Sequence, residues 1–104
     1  MVKTRGHRVE LAEVEAALCS HPAVSEAAAY VVSDGRGSTA ILSTVTTHGG
    51  GAEQAGEILR HVRTRLPAYA VPQELFVAPD LPRTTSGKID RKKLMQEHTM
   101  TDGT

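Results

Sequence analysis

Residues 24–47 read VSEAAAYVVSDGRGSTAILSTVTT. Val24 to Ser33 is rich in Val, Ala and Tyr and holds no breaker. Ala40 to Thr47 is dense in β-branched residues, which favour the extended chain. Between them, Asp34-Gly35-Arg36-Gly37-Ser38 is a turn by composition. Two such segments joined by such a turn spell an antiparallel hairpin. A small sheet of this kind does not hold itself together in water. Other elements must cover it, and the sequence on either side supplies them.

Upstream, Leu11 to Ser20 reads as a helix. Leu11, Val14 and Leu18 fall at helical spacing with Ala17 beside them, while Glu13 and Glu15 lie off that stripe. Glutamates early in a helix suit its positive end, and Pro22 stops it. Before it, Val2–Thr4 and Arg8–Glu10 read as the arms of a small hairpin turning near Gly6. Downstream, His48-Gly49-Gly50-Gly51 is a linker. Glu53 to Leu66 gives the cleanest helix pattern, with Ala55, Ile58, Leu59, Val62 and Leu66 on one stripe and Arg60, Arg63 and Arg65 off it. Pro67 ends it. Gln73 to Val77 is a short strand, and Pro79 to Lys88 a long loop. Asp90 is placed to cap a last short helix through Leu94 and Met95. The polar segment 98–104 reads as a frayed tail. The order predicts a small α+β domain: a mostly antiparallel sheet of about three strands, an N-terminal hairpin, and two to three covering helices.

Composition narrows the function. With 104 residues the chain makes one compact domain. Twelve basic residues balance twelve acidic ones, so neither nucleic acid nor a membrane surface is an expected partner. Tyr30, Tyr69 and Phe76 are the only aromatic residues of this kind, too few for a base-stacking surface. No apolar run is long enough to span a bilayer. The lone Cys19 forms no internal disulfide, which fits a reducing, cytoplasmic setting; beside the apolar stripe it reads as a small core residue. The five histidines (His7, His21, His48, His61, His98) are too scattered in sequence for a metal site. Glu10, Glu13 and Glu15 read as a solvated helix face, as does Arg91-Lys92-Lys93.

The chemistry concentrates in Leu81-Pro82-Arg83-Thr84-Thr85-Ser86-Gly87-Lys88-Ile89-Asp90-Arg91. Gly87 lets the backbone turn or approach a ligand closely. Lys88 is a compact charge with three donors on a long stem, suited to transfer at phosphorus, where negative charge gathers. A Walker-type phosphate loop does not fit: Pro82 stands where its first glycine belongs and Ile89 where its hydroxyl residue belongs. Taken as an isolated Gly-Lys pair, the stretch would be an ordinary solvated loop.

The whole stretch resembles the last core motif of the adenylate-forming superfamily: Pro, variable, Thr, variable, Ser or Asn, Gly, Lys, aliphatic, Asp, Arg. The segment Val2-Lys3-Thr4-Arg5-Gly6-His7-Arg8-Val9-Glu10-Leu11-Ala12-Glu13-Val14-Glu15 resembles the motif that opens that family's C-terminal subdomain, in the form typical of nonribosomal peptide synthetases. Leu66-Pro67-Ala68-Tyr69-Ala70-Val71-Pro72 resembles a third segment, with Ala70 for the usual Met. The resemblance covers residues 2–95. It implies residues 1–97 as a mobile lid that closes over a large N-terminal domain holding ATP and Mg2+. It implies Lys88 as the catalytic lysine of adenylate formation, with Ser86 and Gly87 beside the nucleotide. After rotation of the lid, the hairpin with Arg5 and Gly6 would face the phosphopantetheine of a peptidyl carrier protein. The N-terminal core would be a partner in cis or in trans. The large domain, its glycine-rich loop and the acidic hinge residue are expected outside this sequence, so the chain alone is expected to adenylate nothing. A non-catalytic docking module is the alternative.

Overall fold

The structure, a computed structural model, describes residues 2–4, 7–33, 39–49 and 54–97. Its elements in chain order are β1 (Val2–Thr4), β2 (His7–Val9), α1 (Leu11–Cys19), β3 (Val24–Ser33), β4 (Thr39–Thr47), α2 (Ala55–Arg63), a 3-10 turn (Ala68–Ala70), β5 (Glu74–Val77) and α3 (Arg91–Glu97). β1 and β2 pair antiparallel from Val2 opposite Val9 to Thr4 opposite His7, so the second arm starts one residue earlier than the sequence implied.

The main sheet has the order β3-β4-β5. β3 and β4 form the expected antiparallel hairpin, from Val24 opposite Thr47 to Ser33 opposite Thr39. Its predicted turn at 34–38 lies outside the described residues, as do Gly50 and Gly51 of the linker and the 98–104 tail. β5 runs parallel to β4, with Leu42 opposite Glu74 and Val45 opposite Val77. The sheet is therefore mixed, because α2 carries the chain back along the sheet before β5 begins, and a crossover of that kind delivers a parallel strand. Near Val24 the register slips by a bulge; there the Glu26 amide donates to the Thr46 hydroxyl at 3.0 Å.

Two cores form, one on each face. On one face α1 (Val14, Ala17, Leu18) and α2 (Ile58, Val62) pack on Val24, Ala27, Ala29, Ile41, Val45 and Leu75. On the other, Ala28, Tyr30, Val32, Ala40 and Leu42 meet Leu81 and Leu94, with Phe76 and Ile89 against them. Successive residues of a strand point to opposite faces, so burial on both sides makes β4 buried nearly end to end. That accounts for its run of β-branched and apolar residues, interrupted only by the buried Ser43. The sequence reading supplied cover for one face; the second cover is α3 and the loop before it.

The helix ends follow their prolines. α1 gives out before Pro22, and the Ser20 hydroxyl donates to the Ala17 carbonyl at 2.6 Å. α2 stops at Arg63, short of the Leu66 expected from its stripe. Thr64 and Arg65 continue only in tightened turns, their amides donating to His61 and Val62 carbonyls at 3.1 and 2.9 Å. Pro67 excludes the residue before it from helical geometry.

Candidate functional site

The segment read as a long loop is an ordered hairpin. Arg83 and Ile89 form an antiparallel bridge. The Thr84 amide donates to the Lys88 carbonyl at 2.7 Å and the Gly87 amide to the Thr84 carbonyl at 2.9 Å. Gly87 stands at φ 87°. A turn over Thr84–Gly87 that closes on a residue in the left-handed region is a standard hairpin end, and that position favours glycine. An added Cβ at Gly87 would meet nothing within 4 Å, so the glycine is there for its backbone angle and not for close approach.

Both legs are anchored. Leu81 is buried and Ile89 half-buried in the second core. The Asp90 amide donates to the Pro82 carbonyl at 2.8 Å. Asp90 then caps α3 as its position suggested: its Oδ1 accepts from the Lys93 amide at 3.1 Å. Arg83 reaches from the turn to β3, pairing with Glu26 and donating through Nη1 to the Gly87 carbonyl at 3.1 Å.

At the tip, residues 83–88 are all exposed. The hydroxyls of Thr84 and Ser86 share a hydrogen bond at 2.9 Å. The Lys88 ammonium makes no hydrogen bond or ion pair to any described residue. The turn thus brings Ser86, Gly87 and Lys88 together on one outward tip. An exposed tip cannot enclose a nucleotide, since small-molecule sites bury most of their ligand. An anion at Lys88 would therefore need a second surface to enclose it.

Arg5 and Gly6, the other predicted site, lie outside the described residues. Beside their hairpin a cavity of about 100 Å³ is lined by Arg8, Glu10, Glu13, Leu66, Tyr69 and others. It joins the first motif to the Leu66–Pro72 segment, which the 3-10 turn shapes.

Three readings of single residues are corrected. Glu15 is no solvated helix residue: it accepts from the Ala29 amide at 2.8 Å and from Arg91 at 2.7 and 3.0 Å. Arg91 is therefore a clasp between α3 and α1, while Lys92 and Lys93 are exposed. Cys19 is exposed, one position past the buried stripe of α1; partial burial and the nearby Glu15 push its thiol up. His21 and His61, 40 residues apart by number, meet edge to face with ring centres at 5.1 Å. No spacing in the sequence signals that pair, because it arises where the C-terminal ends of α1 and α2 converge. Among the described residues no group of three or more His, Cys, Asp or Glu is placed to hold a metal ion, and no helix is long and apolar enough to cross a membrane.

Comparison with known proteins bears on this geometry. A family model described as the AMP-binding enzyme C-terminal domain matches residues 13–88. The chain is similar to the acetyl-coenzyme A synthetase of Rubrobacter xylanophilus, 44% identical over 97 residues, which span 90% of this chain and 15% of that enzyme. It is similar to the nonribosomal peptide synthetase agiA of Aspergillus flavus, 41% identical over 105 residues, 94% of this chain and 1% of that protein. Among solved structures, an acyl-CoA synthetase of Brucella canis superposes with a TM-score of 0.79 at 36% identity, over 90% of this chain and 18% of that one. The chain spans less than a fifth of the length of each of these relatives.

Proposed function

The chain belongs to the family of AMP-binding enzyme C-terminal domains, the small subdomain of adenylate-forming enzymes, and from that premise we propose that it is the mobile lid of an amino-acid-activating synthetase. Residues 1–97 are the lid and 98–104 its tail. In the closed state Lys88 enters the site of a separate ATP-binding domain. There a carboxylate oxygen attacks the α-phosphorus of ATP and pyrophosphate departs. The ammonium bridges the two reactants, fixing their approach and offsetting the charge that develops at phosphorus. Ser86 and Gly87 flank it. ATP and Mg2+ are held by the ATP-binding domain. In a second orientation the hairpin with Arg5 and Gly6 faces the phosphopantetheine of a peptidyl carrier protein, whose thiol attacks the acyl carbon of the adenylate, forming the thioester as AMP departs.

The observation that carries this reading is the exposed, hydrogen-bonded tip that presents a lysine with no hydrogen bond or ion pair among the described residues. The family match runs through that lysine, ending at residue 88. Relatives come from both the coenzyme A ligases and the peptide synthetases. The Arg5-Gly6-His7-Arg8-Val9-Glu10-Leu11 pattern favours the peptide-synthetase branch. A single exposed thiol goes with a reducing, cytoplasmic setting.

The test is pyrophosphate exchange by the chain joined to its ATP-binding domain, over a panel of amino acids and of short acyl acids with coenzyme A. Exchange with an amino acid is expected. Lys88→Ala should lower it by a factor of about 10² to 10³, the usual loss when one well-placed charge-stabilising group is removed. Undiminished exchange in that variant would leave the chain a docking module. Exchange with acyl acids alone would move it to the coenzyme A ligases.

A further inference from the structure

We propose that Arg83 is a positioning residue for Lys88, holding the Gly87–Lys88 peptide plane in one orientation; the role rests on the reading of Lys88 given above. Its guanidinium spans two acceptors at once. One is the Glu26 carboxylate on β3, and the other is the Gly87 carbonyl at 3.1 Å. That carbonyl belongs to the peptide unit from which Lys88 springs. Gly87, at φ 87°, is the residue with the widest backbone freedom in the turn. Rotation of its peptide would swing the lysine stem, and an error of about 1 Å in a reacting group can cost about 100-fold in rate. The brace ties that one soft joint to the sheet. Arginine suits the task because its planar fork serves two acceptors in fixed geometry, where a lysine offers one compact charge.

The contribution is to orientation and not to fold stability. Arg83 and Glu26 are 39% and 40% exposed, and ion pairs in that setting add little to stability. Leu81, Ile89 and the Asp90–Pro82 hydrogen bond keep the hairpin in place without the brace. A residue of this kind leaves a distinctive pattern: an unchanged melting temperature, a slower chemical step and a looser turn.

The experiment compares wild type, Arg83→Gln, Arg83→Lys and the charge swap Arg83→Glu with Glu26→Arg, each joined to the ATP-binding domain. Four quantities are read: kcat and KM for ATP in pyrophosphate exchange, hydrogen exchange at the Gly87 amide, and the melting temperature. Arg83→Gln and Arg83→Lys should lower kcat about tenfold with KM for ATP within about twofold, a loss typical of misplacement without lost binding. Gly87 exchange should quicken, and the melting temperature should hold. The charge swap restores an ion pair, but a carboxylate at position 83 cannot donate to the Gly87 carbonyl, so kcat should stay low. Recovery in the swap would overturn the proposal in favour of a plain salt bridge. Unchanged kcat in Arg83→Gln would overturn it too, whatever the amide exchange does. Lys88→Ala separates this from the functional reading. Full activity there removes the reading and the positioning role together, whereas lost activity there with unaffected Arg83 variants removes the positioning role alone.

Discussion

Gly87, Tyr30 and His61 show how much a single side chain decides. Gly87 has room for a methyl group but a backbone angle that other residues resist. Gly87→Ala should therefore destabilise the chain by about 1 kcal/mol through backbone strain alone, measured by urea unfolding, and Gly87→Asn by less. Tyr30 is 1% exposed, and its hydroxyl shares a hydrogen bond of 2.8 Å with Thr44 inside the second core. Burial pushes its pKa up to about 12. Tyr30→Phe strands the Thr44 hydroxyl, a loss of about 1–3 kcal/mol by the same measurement. His61 is held below its ordinary pKa of 6.5 by partial burial, with Arg65 and His21 adding repulsion. Arg65 donates to its Nε2 at 3.0 Å, so the folded chain favours the neutral ring. Below pH 6.5 the unfolded chain binds the extra proton first. The stability this site adds is thus present at neutral pH and lost as the pH falls from 6.5 through the lower folded value. Melting temperature should drop between pH 7.5 and 5.5, and the drop should be shallower in His61→Asn. The turn at Gly87 and the cap at Asp90 were legible one residue at a time, because each is a local backbone requirement. The His21–His61 contact was not, since it depends on where two helix ends meet.

At the scale of elements, α3 matters beyond its length. It buries Leu94 against β3 and β4, and Arg91 clasps Glu15 of α1. Leu94→Ala should destabilise the chain by about 2–5 kcal/mol, the range for a large buried side chain that leaves a cavity. Glu15 also takes up the Ala29 amide on β3, an edge strand of the sheet. Glu15→Ala leaves that donor and Arg91 unmatched and should cost about 1–3 kcal/mol in chemical unfolding. The clearest elements in the sequence were α1 and α2, each with a periodic apolar face, and β3 and β4, each rich in strand-forming residues on either side of a turn. β5 was read as a strand but its parallel pairing with β4 was not foreseen, because strand direction is set by the path of the chain and not by composition. Cys19 was misread because it stands just past the buried stripe of α1, and Glu15 because Arg91 of a distant helix and the Ala29 amide reach it.

For the molecule as a whole, the hairpin that carries Lys88 is bonded across its turn and anchored at both legs. A lysine so mounted is carried by motion of the entire lid and not by a loose strand. Backbone order parameters from 15N relaxation at Thr84 and Gly87 should therefore lie near about 0.8, close to those of β4 and well above the value of about 0.6 that marks flexible segments. The sequence by itself determined the hairpin of β3 and β4, the two covering helices, the turn glycine, the helix cap and the motifs that carry the family resemblance. Each of these follows from neighbouring residues, through period, turn chemistry or a run of fixed types. Tertiary structure alone decided that both faces of the sheet are buried, that β5 runs parallel, that Glu15 meets Arg91, and that Arg83 reaches Glu26 beside the Gly87 carbonyl. Those contacts join residues tens of positions apart, and only packing sets which of many distant pairs come within hydrogen-bond reach.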